Sequence, residues 1–352
     1  MSHITQLKDV LGGLLSWHGT RLNFLAMFLI ALLKVKTVNL AEIATALNPK
    51  AKVSSNYRRL QRFFADFELD YDVIAQLIAA LIPKPAAGYT LSLDRTDWQF
   101  GKFVINLLVL AIVHNGVAFP LYWTFLAKKG NSNTAERKAI MTKFITTFGQ
   151  GSIACLVADR EFVGKQWFSY LRQEKILFRI RIRQNFQVAG KQGSIPVMAI
   201  FQHLAVGQCL VLSRKRFVLG HNLYLIGLRL ETEYLLLVTC QKAETALDDY
   251  AKRWNIETLF GILKSRGFRF EETHLIEADR INKLLALLTL ATVWAFKVGE
   301  WLHQQEPLKI KTHGRLAKSI FRYGLDYLRS IVFDIQLKMN DFLISLKFLS
   351  CT

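Results

Sequence analysis

The run Tyr89–Trp98, YTLSLDRTDW, decides how the rest of the chain is read. Polar and apolar side chains alternate along it with the two-residue period of a strand, and two carboxylates, Asp94 and Asp97, stand at its end. Just upstream, IPKPAAG (Ile82–Gly88) holds two of the six prolines and reads as a linker. Downstream, Phe103–Val113 and Ala118–Phe125 are apolar runs parted by Asn115-Gly116, which makes an antiparallel meander with the first strand. The polar loop KKGNSNTAERKA leads into a helix ending near Phe148. Ile153–Ala158 follows as a short apolar strand that stops at Asp159-Arg160-Glu161, and a helix over Gly164–Gln173 precedes ILFRIRIRQNF, whose alternation sets Arg179, Arg181 and Arg183 on one side.

Three strands, helix, strand, helix, strand is the plan of a ribonuclease H-like core, an α/β fold on a mixed sheet. From Gln184 to Cys240 the chain stays strand-rich, with apolar segments Cys209–Leu212, Leu223–Leu230 and Tyr234–Cys240, and reads as a β-rich insertion into that core. A helix over Tyr250–Lys264 comes next. At about 100° per residue, Tyr250, Arg253, Glu257 and Lys264 fall within an arc of roughly 60°, with Ile256, Leu259, Ile262 and Leu263 opposite. A phenol, a guanidinium, a carboxylate and an ammonium on one face suit a phosphate backbone gripped beside a metal-binding carboxylate. A solvated charged face gives the same pattern.

The expected organisation is therefore a helical region at 1–84, a first part of the core at 85–183, the insertion at 184–240, a second part of the core with the Glu257 helix at 241–300, and a basic helical region at 301–352. In the first region the apolar run Leu22–Leu33 precedes two short helices separated by Asn48-Pro49, with Thr37 or Asn39 capping one and Ser54 or Ser55 the other. Arg58, Arg59 and Arg62 on the second helix resemble a helix-turn-helix element whose cations meet DNA phosphates or bases; a helical bundle with a basic face weighs evenly against it.

A chain of 352 residues, 51% hydrophobic, can bury a sizeable core. Its net charge of +19 and pI near 9.8 favour a polyanionic partner through counterion release, nucleic acid first and a membrane surface second. Cys155, Cys209, Cys240 and Cys351 lack metal-ligand or disulfide-framework spacing, and the eight histidines are scattered, so a reducing cytoplasm is expected. The mean hydropathy of +0.21 raises the question of a membrane span. Asn115-Gly116 and Pro120 interrupt the longest apolar run, Leu284–Phe296 and Leu22–Leu33 are short for a span, and no secretory leader is evident, so buried core is the expectation and no membrane partner.

Metal-assisted phosphoryl transfer gathers carboxylates around two hard cations about 4 Å apart. Asp94 ends the first strand, Asp159 ends the fourth, and Glu257 reaches in from its helix; Asp97 and Glu161 are rival ligands. An Asp at a strand end is also a common turn former.

The spacing Tyr250-(2)-Arg253-(3)-Glu257-(6)-Lys264, with SLDRTDW around Asp94 and VADREF around Asp159, resembles the bacterial insertion-sequence transposases that carry a Tyr-Arg-Glu-Lys motif, insertion-sequence family four. The resemblance spans about Tyr89–Gly267. It implies a DDE transposase of ribonuclease H-like fold in which Asp94, Asp159 and Glu257 hold two Mg²⁺ ions, with Mn²⁺ as a substitute, Asp94 bridging them. It further implies cut-and-paste chemistry on double-stranded DNA: nicking at inverted-repeat ends, a hairpin in related members, and joining to target DNA by a homodimer on paired ends. Tyr250, Arg253 and Lys264 contact phosphates on that reading. Relatives that form hairpins hold a flipped base on an aromatic residue of the insertion; no Trp lies between Trp167 and Trp254, and Phe186, Phe201, Phe217, Tyr224 and Tyr234 are the substitutes. The contrasting hypothesis is a non-catalytic DNA-binding regulator, which has no need of the three carboxylates.

Overall fold

Five helices precede the first strand: α1 His3–Gly12, α2 Gly19–Val35, α3 Leu40–Leu47, α4 Val53–Asp66 and α5 Tyr71–Leu81. Next come β1 Tyr89–Phe100, β2 Phe103–His114, β3 Val117–Leu126, α6 Thr134–Phe148, β4 Ile153–Ala158, α7 Lys165–Gln173 and β5 Phe178–Arg181. The strand-rich part holds β6 Gln187–Gly190, β7 Gly193–Pro196, α8 Met198–Phe201, β8 Cys209–Val211, β9 Arg216–Val218, β10 His221–Arg229 and β11 Tyr234–Thr239. Then follow α9 Ala246–Ala251, α10 Trp254–Gly261, a π-helical turn Ile262–Arg266, α11 Ala278–Gln305, α12 Ile320–Phe333 and α13 Met339–Leu346. This computed structural model describes residues 2–100, 103–190, 193–241, 244–312 and 314–350; Cys351, named above, lies outside them.

The chain forms two compact units. One comprises Met1–Pro83, Trp98–Ile105 and Leu259–Thr352, the other Lys84–Asp97 and Asn106–Thr258. The first boundary falls inside the proline-bearing Ile82–Gly88 passage.

The first unit is a helical bundle around α2 and α11, whose side chains are buried almost all round. Asn39 caps α3, its Oδ1 accepting from the Ala41 N–H. The expected Ser54 or Ser55 cap on α4 is not formed: both serines sit inside the first turn and Lys52 takes the cap position without a side-chain bond. Asn56 explains the earlier start, because its amide donates to Ala44 O at 3.0 Å and Asn48 O at 2.9 Å and so pins the first turn of α4 to the end of α3. Buried Lys283 donates to Phe64 O at 3.0 Å, and Arg329 to Leu33 O at 3.1 Å, so cations satisfy the orphan carbonyls at the ends of α4 and α2. The apolar segment expected at Leu284–Phe296 is the middle of a 28-residue helix, since the polar residues flanking it continue the helical ladder. That helix is long and apolar enough to cross a membrane, but 89% of its most apolar window is buried within the protein. At Gly299 and Gly324 the backbones of α11 and α12 touch: a Cβ on Gly299 would lie 2.0 Å from Ile320 O.

The sheet runs β3-β2-β1-β4-β5-β11-β10-β9-β6-β7, with β8 paired to β10. β2 and β3 are antiparallel, with a register shift beside Pro120, which lacks the N–H a regular ladder needs. β1, β4 and β5 are parallel, joined through the covering helices α6 and α7. Gly88 (φ +95°) enters this sheet so close to the Ser152 backbone that a Cβ would lie 2.6 Å from Ser152 O. Two sequence expectations change. β1 continues past Asp94 to Phe100, and β5 ends at Arg181, one residue after which the Ile182 N–H makes a last bond to Leu236 O at 2.9 Å. The β-rich segment extends the same sheet, since β11 pairs antiparallel with β5 and β10 with β11. Short strands β6, β7 and β9 were not anticipated.

The single Tyr250–Lys264 helix is also corrected to three pieces. The backbone N–H groups of Lys252, Arg253, Asn255 and Ile256 bond three residues back, Arg253 N to Tyr250 O at 2.9 Å and Ile256 N to Arg253 O at 3.1 Å. Three-residue spacing eclipses positions i and i+3, so Tyr250, Arg253 and Ile256 share one face and are all buried, at 2%, 4% and 0% exposure. Tyr250 packs with Ile226, Leu237 and Ala246, and this burial outweighs regular α-helical bonding.

Candidate active site

The parallel ladder between β1 and β4 ends on the pair Leu93–Ala158, and the next residue on each strand is a carboxylate, Asp94 and Asp159. This is the carboxyl end of parallel strands, where sheets of this kind place ligands. The Asp94 side chain is 14% exposed. Its Oδ1 accepts the Arg95 N–H at 2.8 Å, and its Oδ2 lies 3.4 Å from Nη1 of Arg253. Nη2 of the same guanidinium donates to Oε1 of Glu257 at 2.8 Å, so Arg253 ties the β1 carboxylate to the helix carboxylate. The indole of Trp254 lies 4.5 Å from that guanidinium and the Tyr250 ring 5.8 Å.

Burial pushes Asp94 up to about 7, against the Arg95 N–H and Arg253, while Glu161 and Asp159 push it further up. Burial likewise raises the Tyr250 phenol. For Arg253, burial acts to lower the pKa, but the neighbouring Tyr250, Glu257, Asp159 and Asp94 outweigh it and hold it above the usual value. Asp159 therefore acts electrostatically on Asp94, Tyr250 and Arg253 together, and its buried Oδ1 has no hydrogen-bond partner among the described residues.

The rival ligands have other places. Asp97 is three residues from Asp94 on a continuous strand, hence on the opposite face, and is exposed. Glu161 is raised by burial and pairs with Arg95 Nε at 3.4 Å. Lys264 belongs to the helical unit, where its ammonium lies 5.7 Å over the Trp98 ring, and Arg58, Arg59 and Arg62 are exposed on α4 of that unit.

A supporting network escaped the sequence reading. Arg95 donates to Asn106 Oδ1 at 3.0 Å, and the Asn106 amide donates to Lys128 O and Gly130 O, each at 2.8 Å. Buried Arg137 on α6 donates to Ser132 O at 2.6 Å and Ser132 Oγ at 2.8 Å, and reaches Glu161 O at 3.0 Å and Val163 O at 3.4 Å. These bonds fix the loop that follows Asp159. The only sequence signal for it was an Arg one residue after the capping-box Glu136 of α6.

The transposase DDE domain family matches residues 92–294, more than half of the chain, and the match takes in Asp94, Asp159 and Glu257. The chain belongs to this family. Among solved structures the transposase is similar to a cryo-EM structure of the piggyBac transposase synaptic complex with hairpin DNA, at 11% identity over 99% of this chain and 82% of that one, with a TM-score of 0.43. No curated protein matches the transposase.

The donor set of the transposase is all oxygen, which suits hard divalent cations, and the unpartnered Asp159 Oδ1 and the buried, proton-retaining Asp94 are groups that such a cation would satisfy. Among the described residues no three acidic, His or Cys side chains converge closely enough to hold an ion as they stand. A guanidinium joins Asp94 and Glu257 instead.

Proposed function

We propose that this transposase cleaves DNA at transposon ends and joins the excised element to target DNA in a reaction that depends on two Mg²⁺ ions, with Mn²⁺ as a substitute. The observation that carries the reading is the emergence of Asp94 and Asp159 side by side from the last pair of the β1–β4 ladder, with Glu257 tethered to Asp94 through Arg253. These three carboxylates would hold the metal, which when bound activates the attacking oxygen and stabilises the leaving one. The rigid parallel ladder fixes the two aspartates. Glu257, 45% exposed on its short helix, is the adjustable third ligand. Arg253 and Tyr250, buried at 4% and 2% exposure while Arg253 pairs with the carboxylates, would reach a DNA phosphate once that pairing opens, and Lys264 would grip the backbone as a point charge.

The Tyr-Arg-Glu-Lys spacing and the order of strands support the finer placement in insertion-sequence family four and a ribonuclease H-like core. On this reading the substrates are duplex inverted-repeat ends, a homodimer pairs them, and the protein acts in the cytoplasm on chromosomal DNA. A hairpin route would use Phe217, which is 54% exposed on β9, whereas Phe201 and Tyr234 are buried. The test is nicking of a plasmid that carries the DNA flanking the coding region. The wild-type chain should nick it only with Mg²⁺ or Mn²⁺, and Glu257→Gln should bind but not cut; full cutting by that variant, or binding by the wild type without any cutting, would reject the proposal.

A further inference from the structure

Arg253 stands among carboxylates where a metal ion would stand, and it is itself a cation. Its guanidinium donates from Nη2 to Glu257 Oε1 at 2.8 Å and from Nη1 to Asp94 Oδ2 at 3.4 Å, while its buried Nε makes no hydrogen bond among the described residues. The two arms are unequal. The Glu257 arm has the length of a strong charge-assisted bond, and the Asp94 arm is longer than the usual N–H···O range. The Trp254 ring, 4.5 Å away, covers the guanidinium whichever anion it faces. An unpaired buried donor costs free energy, and a phosphate oxygen is an acceptor that a guanidinium takes readily. A phosphate on Nε competes with both carboxylates for the same positive charge. With Arg253 in place, Asp94 and Glu257 share that charge, so a divalent ion meets partly neutralised ligands and a repelling guanidinium.

We propose that Arg253 is a clamp that makes metal loading depend on DNA: without DNA it closes Asp94 on Glu257 against divalent cations, and a backbone phosphate of a bound DNA end draws it off and opens the site. Release leaves Asp94 in place, since its Oδ1 still accepts the Arg95 N–H at 2.8 Å on the β1 strand. Glu257 is the side chain set free, on a short helix and half exposed. While the clamp is closed, no three acidic side chains among the described residues are close enough together to hold an ion. The protein is thereby kept from carrying a cleavage-ready centre before an end is in place. By linkage, the factor by which DNA tightens metal binding is the factor by which metal tightens DNA binding.

This inference rests on the reading of Asp94, Asp159 and Glu257 as the metal centre, and its test separates the two. Isothermal titration calorimetry measures Mn²⁺ binding to the metal-free full chain, alone and saturated with a duplex that ends at the cleavage position, so that no strand is broken during the titration. The wild type should bind Mn²⁺ about tenfold more tightly with the duplex than without it. Arg253→Gln should bind Mn²⁺ without DNA about tenfold more tightly than the wild type does, and the duplex should raise its affinity far less than it raises the wild type's. Arg253→Lys keeps the charge but lacks the fork that spans two carboxylates, and should share most of the gain. Wild-type affinity that is equal with and without the duplex overturns the clamp without recourse to a variant. Arg253→Gln no tighter than the wild type in the absence of DNA also overturns it, as does Arg253→Lys equal to the wild type beside a tighter Arg253→Gln, the pattern of plain charge repulsion. Loss of the bound Mn²⁺ in Glu257→Gln in the same series shows that the three-carboxylate centre stands even where the clamp falls. No Mn²⁺ bound by the wild type or the Arg253 variants, even on the duplex, overturns centre and clamp together.

Discussion

Replacing Asp94 with Asn should make the metal-free protein more stable, and increasingly so as the pH rises. The buried Asp94 carboxyl is displaced from 3.8 up to about 7. Below about pH 4 it is protonated in the folded and the unfolded chain alike, and its burial costs little. As the pH climbs towards 7 the unfolded chain releases the proton while the folded chain retains it, so stability falls; above 7 the folded chain carries a buried charge in full. A displacement of this size is worth roughly 4 kcal/mol. Asn is neutral throughout. Denaturation followed by tryptophan fluorescence in EDTA should therefore show Asp94→Asn more stable than the wild type by up to about 4 kcal/mol on the alkaline side, with the gap shrinking towards the acid side. Weakening of the Arg253 pairing acts against the variant on the alkaline side and so cannot mimic the trend. A constant gap, or one that widens on acidification, would refute the reasoning.

Other substitutions probe the surrounding structure. Gly299→Ala puts a methyl 2.0 Å from Ile320 O, and Gly324→Ala one 1.8 Å from Ala295 O, so each should cost about 3 kcal/mol by thermal or urea unfolding as α11 and α12 are forced apart. Arg137→Met should cost about 3 kcal/mol by leaving Ser132 O and Glu161 O without their donor, and should lower the cleavage rate while sparing DNA affinity, because the loop it fixes carries Asp159. Arg253→Gln removes a charge that lowers the Asp94 pKa, so the pH profile of metal-dependent cleavage should move to higher pH; a profile that stays in place would separate Arg253 from Asp94.

Much of the catalytic unit was legible in the sequence because its strands are buried and bounded by turn residues. Ile153–Ala158 has the same limits in sequence and structure, and the helix expected after the polar loop is α6, which the structure starts with an Asn133–Glu136 capping box. The adjacency of Asp94 and Asp159 was legible only on condition that the first and fourth strands are neighbours, and the β1–β4 pairing supplies that condition. The break after Tyr250 was not legible, because the helical ladder gives way there to the burial of a phenol and a guanidinium, which only the folded partners Ile226, Leu237 and Asp94 explain. Periodicity drew Arg253 on an outward charged face, open to a phosphate or to solvent, for the same reason. Strands β6, β7 and β9 are three or four residues long and mostly exposed, too short to show a period. Arg137 reads in sequence as a helix surface cation, and its carbonyl partners lie on segments that the sequence cannot bring together.

Where a divalent ion binds decides most directly whether Asp94, Asp159 and Glu257 form one catalytic centre. Anomalous diffraction from Mn²⁺-soaked crystals should show density bounded by these three carboxylates, with the Arg253 guanidinium withdrawn from Asp94. Ordered Mn²⁺ held elsewhere, with Arg253 still bridging Asp94 and Glu257 at saturating metal, would contradict it.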